Sequence, residues 1–359
     1  MKGKKIITKE STSPKGYGFI SWTAAQIIVW LFGCFIILCL FLKPALGIML
    51  LWNILIPAAP ALLVIHTGIW RNICPLAATA LLAGHLGMSR AKKLSHSQVG
   101  KLNFTSVMVL YVIVPLRHAF FNNNGPATAI LLILTSCIAV IMGWMYEWKS
   151  AWCSGLCPVH PVEKLYGENV PITIPNSHCR ECLNCVIPCP DSTPNIHPQA
   201  ARKNKWQRWS GILITGGLPG FVWGWFQVPD LTGFSSAGRL PGVYIMPMAG
   251  MTATLALYYI LYTGLVRKEQ LRKLSAFFAA AAVSCYYWYR IPALFGIGKF
   301  RGDGVLINLS GYLPSGSLLI ITIATTLFFF YWLVWRKPQN TSWLKRPQFA
   351  VKSSPGHRK

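Results

Sequence analysis

Charged residues are scarce in this chain, and acidic ones scarcer still. Asp, Glu, Lys and Arg make up 12% of its 359 residues, against roughly 25% in a typical soluble protein, and only nine residues are acidic. Long stretches carry no charge at all, which excludes a soluble two-domain enzyme with an apolar core. Also missing is a Gly-rich nucleotide fingerprint behind a strand-like segment, so bound NAD or flavin has no support. No C-x-x-C-H motif offers a covalent haem site. No nucleophile arrangement stands out, so substrate chemistry has no visible centre. The polar, basic stretch 1–17 does not close on a small-x-small cleavage site, and the apolar run behind it is too long for a signal h-region. An uncleaved first helix is expected.

What the chain has in abundance is apolar sequence: 53% of its residues are hydrophobic and its mean hydropathy is +0.44. Eight apolar runs stand out, at 19–42, 45–65, 104–119, 127–146, 211–228, 243–265, 274–291 and 316–335. Lys43-Pro44 separates the first two, and Pro57 and Pro60 are expected to kink or split the second. Asn122-Asn123-Asn124-Gly125-Pro126 reads as a turn. The fifth run is rich in glycine, and the seventh ends in Cys285-Tyr286-Tyr287-Trp288-Tyr289, which resembles an interfacial aromatic belt. The Gly-rich residues 292–315 are expected outside the membrane, and 336–359 as a basic tail without structure.

The formal charge of +25 arises from 34 Lys and Arg against nine Asp and Glu. The basic residues sit mainly at the ends of apolar runs, which points to topology and to anionic lipid headgroups, and argues against nucleic acid as a partner. With eight helices and both termini inside, 28 of the basic residues fall on inside segments and six on outside loops. That asymmetry predicts a multi-pass protein of the bacterial cytoplasmic membrane, with both termini in the cytoplasm.

Cysteine is where chemistry concentrates. Cys179-Arg180-Glu181-Cys182-Leu183-Asn184-Cys185-Val186-Ile187-Pro188-Cys189-Pro190 has the spacing C-x2-C-x2-C-x3-C-P, the ligand run of a bacterial-type [4Fe-4S] cluster. Trp152-Cys153-Ser154-Gly155-Leu156-Cys157-Pro158 repeats the C-x3-C-P half of that run. Trp70-Arg71-Asn72-Ile73-Cys74-Pro75 matches it except that Trp70 stands at the first cysteine position. Residues 147–208 hold six cysteines and eight prolines with little periodicity, as expected of a loop domain folded by its metal. The expected fold is therefore all-α and polytopic, about eight transmembrane helices with a small cytoplasmic ferredoxin-like iron-sulfur loop domain. Four regions follow: 1–146 with a Cys-Pro corner near Cys74, 147–208 for iron and sulfur, 209–335 with four more helices, and the tail 336–359.

In such a run the first three cysteines share one cluster and the fourth serves another. Cys179, Cys182 and Cys185 would be completed by Cys157. Cys189, Cys153 and Cys74 would hold a second cluster, which is then one cysteine short. That cluster has a non-cysteine ligand (His160, His178 or Asp191 are near in sequence), or has lower nuclearity, or does not exist, the four cysteines of the run ligating a single cluster. Zinc fits the spacing poorly. Cys34, Cys39, Cys137 and Cys285 fall inside apolar runs and read as core packing. His66 and His118 lie at helix ends on opposite faces, which weakens them as joint ligands of one haem and leaves interfacial hydrogen bonding or a quinone contact. Asp303 and Arg301 have no evident partner.

The hairpins, the Cys-Pro corners and the ferredoxin run together resemble the membrane iron-sulfur proteins of the NapH/NosR/CcoG group, over roughly residues 60–200. The resemblance assigns Cys74 to the first corner motif, Cys153 and Cys157 to the second, and Cys179, Cys182, Cys185 and Cys189 to the ferredoxin motif. It implies one or two [4Fe-4S] clusters, an exchangeable quinone, and electron supply to respiratory reductases or metal-related redox maturation. Trp70 departs from the corner motif, and only one complete ferredoxin run is present. The expected role is one-electron relay between a cytoplasmic carrier or partner subunit and the quinone pool, the basic rim suiting an acidic ferredoxin- or flavodoxin-like donor. The alternative is a redox-sensing or metalloenzyme-maturation protein.

Overall fold

The computed structural model describes residues 17–147, 149–167, 171–175, 177–179, 204–231, 240–267, 270–300, 302–314, 316–337 and 344–345. A helix stands at each of the eight apolar runs. They are α1 (Tyr17–Leu42), α2 and α3 (Pro44–Ile48 and Ile56–Ile73, joined by a π-helical segment Met49–Leu55), then α5 (His96–Leu116) and α6 (Gly125–Met145). The second half holds α8 (Lys205–Trp225), α9 (Leu240–Ile260), α10 (Leu271–Leu294) and α11 (Ser317–Phe330). Two shorter helices, α4 (Pro75–His85) and α7 (Val159–Tyr166), lie between them. Between the second and third apolar runs the chain is helical through α3 and α4 to His85 and again from His96, with α4 packed on α6 and α1. Within the tail read as unstructured, Leu344 and Lys345 (β2) pair in parallel with Ile174 and Pro175 (β1).

Among the described residues six spans are long and apolar enough to cross a membrane: 22–42, 44–85, 96–121, 125–145, 240–265 and 317–335. Their outward faces carry large apolar side chains, among them Ile28, Leu42, Leu319 and Ile320, each at least 63% exposed. The chain is an all-α, multi-pass membrane protein whose apolar helix faces meet lipid. Helices α8 and α10 match the spans in length but not in apolar content, for a structural reason. Both are lined by buried residues along most of their length, from Ser210 to Gly220 in α8 and from Phe278 to Arg290 in α10. A helix surrounded by protein need not be as greasy as one facing lipid.

Local sequence sets the helix ends. Ser95 and Gln98 form a capping box on α5, Asn124 caps α6, and Asn204 accepts from the amides of Trp206 and Gln207 at the start of α8. Proline makes the corner at Cys74. The residue before a proline is pushed out of the helical region, and Pro75 then serves as the first residue of a new helix. Cys74 adopts φ −58°, ψ 118°, ending α3 and opening α4.

Prolines also explain how α3 is held. Pro57 and Pro60 disturb its first turns, and the hydroxyl of Tyr287 from α10 inserts there. It accepts from the Ala61 amide at 2.9 Å and donates to the Pro57 carbonyl at 2.6 Å, bridging the two groups of one helical turn. A second break lies at His66 (φ −159°, ψ 84°). Beside it the Trp332 indole donates to the Val64 carbonyl at 2.8 Å. The main core, with Leu63, Val64, Val107, Tyr111, Ile214, Phe221, Val283 and Phe329, gathers around these plugs. Helices α8 and α9 approach most closely at Gly220 and Gly250, where a Cβ on either would collide with the other's carbonyl.

Candidate metal centre

Both Cys-Pro corners fold to the same place. Cys153 and Cys157 belong to a buried group with Ala77, Ala80, Leu81, Ala139 and Trp152, and Cys74 packs against it with Leu76, Leu156 and Val159. The two cysteines of the second corner sit on and just after a π-helical segment, Lys149–Leu156, whose wider turn precedes Pro158 and α7. The Cys157 amide donates to the Trp152 carbonyl at 2.9 Å, and its own carbonyl accepts from His160 at 3.2 Å. Three cysteines from two motifs more than seventy residues apart in sequence therefore share one apolar cluster.

The beginning of the Cys-rich run is tied to the same place through α3. Asn72, wholly buried, donates to the Pro175 carbonyl at 2.8 Å and accepts from the Ser177 amide at 3.2 Å. Gln26 of α1 donates to both the Asn72 carbonyl, at 2.7 Å, and the Ser177 hydroxyl, at 2.9 Å. His178 donates from Nε2 to the Arg71 carbonyl at 3.0 Å. A single 3-10 turn, Ser177–Cys179, then carries the backbone into the run. Cys182, Cys185 and Cys189, with Asp191, lie outside the described residues, as does the side chain of Cys179.

A buried charged group flanks the thiols. Arg71 and Glu163 form an ion pair in which each side chain is less than 10% exposed. His160 Nδ1 lies 3.2 Å from Arg71 Nη1 and 3.3 Å from Glu163 Oε2. Burial drives the His160 imidazole down to about 4, only partly offset by its hydrogen bond to Glu163, so the ring is neutral at physiological pH. Burial likewise pushes the Cys157 thiol up to about 12, and the nearby Glu163 and Cys74 add to this. A thiol held that firmly in its protonated form becomes a ligand only when a metal displaces the proton.

Thiols are the donors that an iron-sulfur cluster takes. Among the described residues no group of three or more His, Cys, Asp or Glu is spaced to close on a metal ion. The remaining donors would have to come from 179–189. His160 and His178, the non-cysteine ligands suggested by sequence, already have partners: His160 in the Arg71–Glu163 group, His178 on the Arg71 backbone.

Elsewhere the expectations divide. Cys39 and Cys285 are buried, as core packing requires, but Cys34 and Cys137 sit on exposed faces of α1 and α6, a correction to the core reading. His66 is 4% exposed, and among the described residues neither ring nitrogen has a hydrogen-bond partner. His118 pairs with Asp230 at 2.6 Å on the far side of the bundle, so the two histidines do not share a site. Asp303, which had no evident partner, accepts from the Asp230 amide at 3.0 Å. Sequence reasoning missed Gln26, Arg71, Asn72 and Glu163. Arg71 and Asn72, a charged and an amide side chain at the end of a mostly apolar helix, were the available signal for the first corner. No family model, no curated protein and no solved structure matches this chain.

Proposed function

We propose that the chain is an integral-membrane iron-sulfur protein of eight helices that relays single electrons between a cytoplasmic carrier or partner subunit and the quinone pool. One observation carries the reading: Cys74, Cys153 and Cys157 pack together, and Asn72 and Arg71 bond residues 177–178 beside them, immediately before the C-x2-C-x2-C-x3-C-P run. Cys179, Cys182, Cys185 and Cys189 with Cys157, Cys153 and Cys74 supply seven thiolates, enough for one [4Fe-4S] cluster and most of a second. A bound cluster supplies one-electron transfer at a potential set by hydrogen bonds and burial. The neutral His160 and the Arg71–Glu163 pair fix the local field around these thiols. The positive-inside asymmetry assigns this end to the cytoplasm, where a basic rim favours an acidic donor. The resemblance to the NapH/NosR/CcoG group supports the same role.

The test is anaerobic purification with iron and acid-labile sulfide counts and EPR of the dithionite-reduced protein. About four iron atoms per chain indicate one cluster and about eight indicate two; a chain free of iron and sulfide after anaerobic expression overturns the reading. Reoxidation of the reduced protein by a soluble quinone analogue then tests the quinone step. A cluster that stays reduced with every quinone tried removes that step while leaving the cluster in place.

A further inference from the structure

At the end of the bundle away from the cysteines lies a cavity of about 560 Å³, walled by α2, the Met49–Leu55 segment, the ends of α8 and α10, and the loop through Asp303. Along α3 and the segment before it, Asn53 at the cavity and Cys74 are roughly 30 Å apart at 1.5 Å per residue. That distance separates the cavity from the cysteine chemistry. Its most unusual constituents are two buried guanidinium groups, Arg117 and Arg290, 8% and 5% exposed. Arg117 lies between two indoles, its guanidinium carbon 3.8 Å from the Trp52 ring centre and 4.9 Å from that of Trp225. It donates from Nε to Asn122 at 3.2 Å, and its two terminal nitrogens meet no acceptor among the described residues. Arg290 donates from Nη2 to the Trp52 carbonyl and, at 2.7 Å, to Asn53 Oδ1. Neither has a carboxylate within ion-pair distance among the described residues.

The acids of the cavity are already engaged. Asp230 accepts from Asn122 at 2.7 Å and pairs with His118 Nδ1 at 2.6 Å, while His118 Nε2 meets the Trp225 carbonyl at 3.0 Å. A carbonyl only accepts, so Nε2 is the donor there. Asp303 is turned to the Asp230 amide. Lys299 adds a third cation at the rim, bonded to Gln227. With His118 and Asp230 taken as a pair, three cations face one carboxylate. Two guanidinium groups taken out of water in one cavity are costly unless an anion joins them. Two π-helical segments, Met49–Leu55 and Arg117–Phe121, deliver Trp52, Asn53, Arg117 and His118 to the walls, a deviation common at functional sites.

We propose that this cavity binds a phosphate-bearing anion, with Arg117 and Arg290 as its anchors and the indoles of Trp52 and Trp225 holding the Arg117 fork in place. Paired guanidinium groups match the oxygens of a phosphate. The volume leaves room for an organic body behind it, as in an anionic lipid headgroup or a soluble phosphate ester. The site is independent of the iron-sulfur reading and its failure would not touch that reading.

Thermal unfolding of the full-length, detergent-solubilised protein tests it, at fixed ionic strength in chloride. The probes are inorganic phosphate, short-chain phosphatidylglycerol and short-chain phosphatidylcholine. The expected result is a rise in midpoint with phosphatidylglycerol, or with phosphate, that phosphatidylcholine does not reproduce. A response to phosphatidylglycerol alone identifies a lipid, and an equal response to phosphate alone a soluble ligand. Arg117→Gln should weaken the apparent affinity about tenfold or more, corresponding to ~1.4 kcal/mol. Because that variant could fold poorly, Lys299→Gln on the exposed rim is the second one, with a smaller loss expected. The proposal is overturned if neither anion shifts the midpoint, if phosphatidylcholine does so equally, or if both variants keep the full response.

Discussion

Asn72 Nδ2 and the Pro175 carbonyl are joined by a 2.8 Å hydrogen bond that spans 103 residues of sequence. Through it the first cysteine corner holds the segment that leads into the Cys-rich run, and the Ser177 amide returns the bond to Asn72 Oδ1. Asn72→Ala removes both partners at once from a wholly buried position. The Ser177 amide is then stranded in a buried position, at a cost of about 1–3 kcal/mol, while the Pro175 carbonyl belongs to an exposed residue. A lower melting midpoint is expected, together with less iron per purified chain. Wild-type iron content in a clearly destabilised variant would separate this tether from cluster assembly.

Glu163→Gln leaves Arg71 buried without its counter-charge. Breaking one side of a buried ion pair costs about 3–5 kcal/mol, whereas replacing both sides with apolar residues is often tolerated. The single variant should therefore melt well below the wild type, and Arg71→Met combined with Glu163→Leu should recover most of the loss. Equal melting of single and double variants would show that the pair adds little.

How much of this could be read from the chain depends on how local each cause is. The Cys74-Pro75 corner was legible because proline constrains the residue beside it, and the helices at the eight apolar runs because a long apolar segment in lipid can satisfy its backbone only as a helix. The convergence of Cys74 with Cys153 and Cys157 is a tertiary event, and only the repeated motif hinted at it. Gln26, Asn72 and Glu163 act across chain separations that no local pattern encodes. The cavity at Arg117 and Arg290 was hidden for the opposite reason. Read one at a time, each was one of the six basic residues left on outside loops, and the aromatic end of α10 looked like an interfacial belt.

Tyr287→Phe is a single-atom test of the plug in α3. Its hydroxyl serves both the Ala61 amide and the Pro57 carbonyl. Removing it strands up to two backbone groups, for a loss of about 1–3 kcal/mol unless the helix closes on itself. Chemical denaturation in detergent measures the cost, and a neutral result would mean that α3 re-forms the turn without help.

Gly220→Leu drives a side chain into the backbone of α9 at Gly250 and should separate the helix pair, with a cost of more than about 1–3 kcal/mol. Gly242→Ala, where a Cβ meets open space, serves as the control and should melt like the wild type. The contrast, read in the yield of monodisperse protein and in melting midpoints, tests the close approach of α8 and α9.

For Cys157 the raised thiol fixes the sign of a pH effect in the metal-free chain. The folded state keeps the proton up to about 12, against an ordinary value of 9.0, so between these limits the unfolded chain has released a proton that the folded one retains. This contribution to stability is complete below pH 9 and is lost as the pH rises towards 12. The same shift leaves about a thousandfold less thiolate at pH 8 than in the unfolded chain. Iodoacetamide should therefore modify Cys157 of the folded, iron-free protein far more slowly than after denaturation, as read by peptide mass spectrometry. Equal rates before and after denaturation would mean that the thiol is neither buried nor held protonated, and the pocket formed by Ala77, Trp152 and Leu156 would have to be open without metal.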